Sequence, residues 1–217
     1  MKRLVIFDLD GTLLNTIADL GEAANFALES YGYPTHSLSS YPFFVGNGVN
    51  RLLERVLPED ARTPKNIEIL RAKFVEFYDA HNTVHSVPYP GIPQLLESLQ
   101  KMDIAMAVAS NKYQSAVTAL VTHFFPGIRW SAVEGQKEGV PVKPDPSIVF
   151  EILGKVPTPK ADVLYVGDSG VDMETARRAC VDSVGVTWGF RPLKELREYH
   201  ACSIVNRPVE ILSLLGR

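Results

Sequence analysis

The chain has 217 residues, 46% hydrophobic and 22% charged, with a net charge of −3. That is enough chain for a sizeable core, in one domain or two small ones, and the composition is that of a soluble globular enzyme. The slightly acidic balance excludes a nucleic-acid footprint, no Lys/Arg block marks a membrane surface, and nothing approaches the ~20 apolar residues of a membrane span.

The first apolar run, Leu4–Phe7, reads as a buried strand and leads into Asp8 and Asp10. If the extended geometry persists, residues two apart share a side, so two carboxylates lie close together. They repel, and either a cation lies between them or one holds its proton. From residue 16 to 84 only helices are predicted, over 18–30, Val49–Val56 and 66–81, and Pro88, Pro90 and Gly91 close the block. Beyond it, strands at 104–109, 131–133, 163–166, 183–187 and 203–205 alternate with helices near 91–102, 113–124, 146–154 and 170–180. The alternation predicts an α/β, Rossmann-like, mainly parallel sheet with helices on both faces, interrupted by a small all-helical insert.

Ligands of open parallel sheets bind beyond the carboxyl ends of the strands. Those positions hold Asp8 after the first strand, Ser110 and Asn111 after the second, and Gly167, Asp168 and Ser169 after 163–166, with Asp172 beyond. A further element is "VKPDPSIVF", residues 142–150. Pro144 biases Lys143 towards an extended conformation, and Asp145 before Pro146 reads as a helix N-cap. The acids suit a hard divalent cation such as Mg2+, while hydroxyl, amides and ammonium suit a phosphate. A carboxylate can also serve as the nucleophile of phosphoryl transfer.

In order and spacing, "FDLDGTLLNT", "VASNK", "VKPDP" and "VGDSGVDMETARRA" resemble the four motifs of the haloacid dehalogenase-like superfamily. The helical insert resembles that superfamily's small cap, and "VPYPGI", "FFVGNGVNRLLERVLP" and "GVTWGFR" are similar to the phosphoglycolate phosphatase group. The resemblance implies a core domain of residues 1–15 and 85–217 with a cap of 16–84. Asp8 would be the nucleophile and become transiently phosphorylated. Asp10 would protonate the leaving oxygen and then deprotonate the attacking water. Asp8, the backbone carbonyl of Asp10, Asp168 and Asp172 would form the magnesium site, with Asp172 acting directly or through water. Ser110, the Asn111 amide and Lys143 would grip the phosphoryl group, and Thr12 would brace the motif loop. Both answers to the paired carboxylates then apply, with metal at Asp8 and a proton on Asp10.

The implied activity is magnesium-dependent hydrolysis of a small phosphate monoester, 2-phosphoglycolate first, through an aspartyl-phosphate. The alternatives are a sugar-phosphate mutase of the β-phosphoglucomutase type, a pyrophosphatase, and a non-catalytic phospho-ligand binding protein. Asp10 separates the chain from dehalogenases and phosphonatases, which lack that second aspartate. In the cap, Gly46, Asn47 and Gly48 open a helix whose amides face anions, and Asn47, Asn50 and Arg51 are the candidates for the substrate's non-phosphate end. The cap is expected to open and close on linkers near 12–17 and 82–90. The expected partner is a small phosphorylated metabolite, with no nucleic acid or membrane, for a monomer or homodimer. Cys180 and Cys202 lack metal-ligand spacing and read as reduced thiols. The short N-terminal run has no cleavage site, so a cytoplasmic protein is expected. The five histidines are scattered, and Trp188 reads as a wall of the pocket.

Overall fold

A computed structural model describes residues 1–216. Its strands are β1 (Leu4–Phe7), β2 (Leu14–Asn15), β3 (Val87–Pro88), β4 (Ala105–Tyr113), β5 (Ala132–Gln136), β6 (Val163–Gly167), β7 (Asp182–Val186) and β8 (Ser203–Val205). Its helices are α1 (Ile17–Ser30), α2 (Tyr41–Phe44), α3 (Val49–Val56), α4 (Pro64–His81), α5 (Ile92–Lys101), α6 (Gln114–Phe124), α7 (Ser147–Lys155), α8 (Gly170–Ala179) and α9 (Leu193–Glu198). Six strands form one parallel sheet in the order β5-β4-β1-β6-β7-β8. This is the expected α/β, Rossmann-like architecture.

Alternation along β1 explains why both sheet faces are covered. Val5 and Phe7 join Leu95, Leu99 and Leu120 on one face, while Leu4 and Ile6 join Ile148, Ile152 and Ala176 on the other. Each face buries its own apolar row, as a two-residue period requires. The register then places the chemistry. Phe7 aligns with Val108 on one side and Val166 on the other. Asp8, Ser110 and Asp168 therefore all fall within two residues of one row, at the carboxyl edge.

The segment from α1 to α4 contributes no strand to this sheet and has a separate apolar core that includes Leu28, Tyr41, Leu53, Phe74 and Tyr78. Its two connections to the sheet are tied together. Leu14 pairs with Pro88 and Asn15 with Val87 in an antiparallel ribbon. Buried Asp19, in the first turn of α1, accepts hydrogen bonds from the His85 and Ser86 amides and the Ser86 hydroxyl at 2.6–2.9 Å. Three donors on one buried carboxylate satisfy it and fasten the return connection to the outgoing one.

Two local expectations change. Asp145 is not the N-cap of α7, because its carboxylate folds forward onto the Ser147 amide at 2.9 Å and Pro146 takes the cap position. β4 continues through the polar residues Ser110–Lys112 to Tyr113, with a register shift against β5 after Ala109. Among the described residues, no helix is long and apolar enough to cross a membrane.

Candidate active site

The carboxyl edge of β1, β4 and β6 carries a buried cluster of ionisable groups. Oxygens of Asp8, Asp168 and Asp172 lie within 4.8 Å of one another. The Lys143 ammonium, itself 2% exposed, sits among them and donates to Asp8 Oδ1 (2.8 Å), Asp172 Oδ1 (2.8 Å) and the Ala109 carbonyl (2.9 Å). Its backbone is fixed by the Asn111 side chain, which accepts from the Lys143 amide at 2.8 Å and donates to the Lys143 carbonyl at 3.1 Å. The same Asn111 amide group donates to the Gly46 carbonyl of the helical segment at 3.0 Å. Asn111 thus aligns the lysine and meets the neighbouring unit at once.

Close approach of the acids depends on missing side chains. Gly11 has φ +88°, and a Cβ there would fall 2.4 Å from Asp168 Oδ2. Gly189 faces the same acid from the other side, where a Cβ would fall 2.2 Å from the Asp168 Cβ. Only glycine tolerates both contacts.

One ammonium cannot balance three buried carboxylates. Burial pushes the Asp8 carboxyl up to about 7, with Lys143 opposing the rise and Asp172 and Asp10 adding to it. Burial, with Asp172 and Asp8, also lifts Asp168 well above the carboxylate range, while the Phe190 amide pulls it down. Burial works against the Lys143 charge, but Asp172 and Asp8 more than offset it and hold its pKa above the ordinary lysine value. A hard divalent cation would relieve this imbalance, and the donors are the oxygens such an ion prefers. Among the described residues, Asp8 and Asp168 each accept a side-chain or amide hydrogen bond through one oxygen only. Asp172 uses both: Oδ1 on Lys143, and Oδ2 on Ser169 within the capping box of α8. The residues present fit a divalent metal.

Asp10 stands apart from the three acids. Its Oδ1 accepts from the Thr16 hydroxyl at 2.6 Å and lies 3.1 Å from the Lys112 ammonium. Lys112 is buried and also donates to the Tyr78 hydroxyl of α4 at 2.9 Å. Burial, with nearby Asp10 and Asp19, raises the Tyr78 pKa well above its usual value, so that hydroxyl keeps its proton and accepts. Sequence reasoning missed Lys112, although it lies two residues past Ser110 in an extended strand and so shares its side.

The pocket at this edge is lined by Asp8, Asp10, Ser110, Asn111, Lys143, Asp168 and Asp172. The structure thus brings together every predicted core residue. The three cap candidates stay outside the lining. Asn50 is exposed, and Arg51 is a surface side chain paired with Glu54 at 2.5 Å, one turn along α3. Asn47 Oδ1 accepts from Arg55 at 2.7 Å and braces its own loop. The reason is helical phase: Val49 and Leu52 occupy the inward face of α3, which turns Asn50 and Arg51 outward. The segment's contribution to the pocket is mostly apolar instead, from Leu20, Val45, Val49, Leu52 and Phe74, with Tyr78 and the backbone at Gly46 and Gly48.

The loop after β7 holds the site together through contacts that the sequence pattern does not reveal. Trp188 is not a wall of the pocket; its indole nitrogen donates to the Thr12 carbonyl at 3.0 Å. Among the described residues the Thr12 hydroxyl has no partner, so it is the Thr12 backbone, not its side chain, that braces the motif loop. The Phe190 amide donates to Asp168 Oδ2 at 2.7 Å, and Arg191 Nη2 donates to the Val45 carbonyl at 3.0 Å. Trp188, Phe190 and Arg191 therefore tie the loop after β1, an acid and the helical segment together. The rule that flagged the other strand ends also covers this loop.

A model of haloacid dehalogenase-like hydrolases matches residues 5–186. A phosphoglycolate phosphatase of Pseudomonas fluorescens is 32% identical over 206 residues, covering 90% of this chain and 74% of that one. One from Aquifex aeolicus is 29% identical over 222 residues, covering 98% and 96%. A crystal structure from Lactobacillus delbrueckii subsp. bulgaricus, provisionally assigned as a phosphoglycolate phosphatase, superposes with a TM-score of 0.92 at 31% identity over 99% of each chain. With the buried acids, the lysine and the sheet edge that gathers them, this match settles the family: the chain is a haloacid dehalogenase-like hydrolase.

Proposed function

We propose that this phosphoric monoester hydrolase depends on magnesium, works through an aspartyl-phosphate on Asp8 and takes 2-phosphoglycolate as its substrate. The observation that carries the reading is Asp8 itself, a buried carboxylate at a strand end, bonded to Lys143 at 2.8 Å with Asp10 two residues on. In the first step an Asp8 oxygen bonds to phosphorus as the bond from phosphorus to the ester oxygen breaks. Asp10 gives its proton to that oxygen, and the alcohol leaves neutral. In the second step the Asp10 carboxylate takes a proton from water as the water oxygen bonds to phosphorus. The bond from phosphorus to Asp8 breaks, returning the carboxylate and releasing inorganic phosphate.

Lys143, Ser110 and the Asn111 backbone amide hold the phosphoryl oxygens. Magnesium would be held by Asp8, the Asp10 backbone carbonyl and Asp168, and when bound it offsets the repulsion between phosphate and carboxylate. Asp172, with both oxygens already engaged, orients Lys143 and would support the metal site from behind. Residues 16–84 act as a cap over a core of 1–15 and 85–217, excluding bulk water from the pocket. The apolar wall contributed by the cap disfavours a hexose, whose hydroxyls would lose their hydrogen-bond partners there.

The test is phosphate release with Mg2+ from 2-phosphoglycolate, other small phosphoesters, glucose 1-phosphate and pyrophosphate. The highest kcat/KM is expected for 2-phosphoglycolate, with loss of turnover on chelation. Sugar isomerisation with little free phosphate would identify a mutase, and silence across the whole panel would sink the phosphatase.

A further inference from the structure

We propose that Arg191 is the specificity-determining residue of the pocket, binding a carboxylate carried on the leaving group of the phosphoester. The inference rests on the phosphatase reading above and names the residue that selects within it.

Three cations line the pocket: Lys112, Lys143 and Arg191. Two are already matched to carboxylates at the site, Lys143 to Asp8 and Asp172 and Lys112 to Asp10. Arg191 is held differently. Its one hydrogen bond is to the neutral Val45 carbonyl, from Nη2 at 3.0 Å, among the described residues. The nearest carboxylate oxygen, Glu195 Oε1, stands 3.9 Å from Nε, beyond hydrogen-bonding reach, and already accepts from the Gly170 amide at 2.8 Å. The side chain is only 16% exposed, so it carries a largely desolvated positive charge with donors to spare.

The surroundings give that charge consequence. Leu20, Val49, Leu52, Phe74 and Phe190 make much of the wall beyond the phosphate end, and none of these side chains can partner a second negative charge. The Tyr78 hydroxyl there is held by Lys112, and the Tyr113 hydroxyl donates to Asp79. A leaving group bearing a carboxylate would be costly to bury there without a cation, and a planar guanidinium suits it in two-pronged fashion. The Val45 bond also sets the timing. Arg191 comes from the core but is anchored on the cap, beside Gly46, where an added Cβ would lie 3.8 Å from Nη2. The charge is therefore presented fully when the cap is in place, and a carboxylated substrate strengthens the closed arrangement.

The experiment compares kcat/KM for 2-phosphoglycolate with that for 2-hydroxyethyl phosphate, an uncharged analogue of similar size, in wild type, Arg191→Gln and Arg191→Lys. The wild type is expected to prefer the carboxylated ester. Arg191→Gln should collapse that ratio by about ten- to a hundredfold, chiefly through KM, as loss of a charged hydrogen-bond partner implies. Arg191→Lys should retain an intermediate ratio, since it keeps the charge but not the fork. An unchanged ratio in Arg191→Gln, or an equal loss on both esters, would show that Arg191 only tethers the cap and would overturn the inference alone. A wild type inactive on both esters would overturn the phosphatase reading and this inference with it. Thermal melts of each variant separate loss of fold from loss of selectivity.

Discussion

The sheet edge and the helical segment face each other across one pocket, and they place side chains by different rules. At the sheet edge, parallel pairing aligns the ends of β1, β4 and β6, so the residue type after each apolar run is almost a position in space. In the helical segment, which face of α3 turns inward depends on packing against α2 and α4. Val49 and Leu52 line the pocket, whereas Asn50 and Arg51, one residue away from each, face solvent. Polar residues at the edge are thus readable as chemistry, and polar residues in the helices are mostly surface.

The largest effect should come from the edge. On the proposed mechanism, Asp8→Asn removes the attacking oxygen while nearly conserving shape, and turnover should fall about 10⁴-fold or more. Circular dichroism should show a folded protein, and activity near that of wild type would break the assignment of Asp8.

Lys143→Met comes next, acting on both rate and stability. It leaves Asp8 and Asp172 buried without their shared cation, a loss of about 3–5 kcal/mol in metal-free protein. Denaturant melts with and without Mg2+ check this, and the metal should recover part of the deficit.

The third prediction concerns pH. The Asp8 carboxyl rises from 3.8 unfolded to about 7 folded, so the folded state holds its proton more tightly. Its contribution to stability is present below the unfolded value and is lost as pH rises through about 7. Metal-free protein should therefore lose stability from this group between those two values. Since Mg2+ requires the charged form, its stabilisation should grow in the same direction. The Tm gain on adding Mg2+ should be larger at pH 8 than at pH 5, by roughly 5 °C. An equal gain at both would contradict a metal bound at Asp8.

The smallest effects separate the two faces of the helical segment. Tyr78→Phe removes one of the two partners of the buried Lys112 ammonium, leaving Asp10, and should cost about 1–2 kcal/mol. Arg51→Ala breaks only an exposed pair and should stay within about 0.5 kcal/mol, with kcat/KM hardly moved. A large kinetic effect of Arg51→Ala would overturn the contrast between edge and helix.

The chain by itself determined the alternation of strands and helices and the helical interruption, because two-residue and helical apolar periods are local properties. It also determined which residues end the strands, which made Asp8, Ser110 and Asp168 legible, and the prolines of VKPDP marked Lys143. Only the tertiary structure decided that Asp172 is saturated by Ser169 and Lys143, and that Asn111 clamps Lys143 rather than leaving its side chain free. It alone placed Lys112 between Asp10 and Tyr78, and brought Arg191 to Val45 across 146 residues of sequence. Such contacts join segments distant in the chain, and their partners follow from how two separate apolar cores dock. No local pattern encodes that docking, since the residues that make it look, in sequence, like ordinary polar residues of a strand end or a loop.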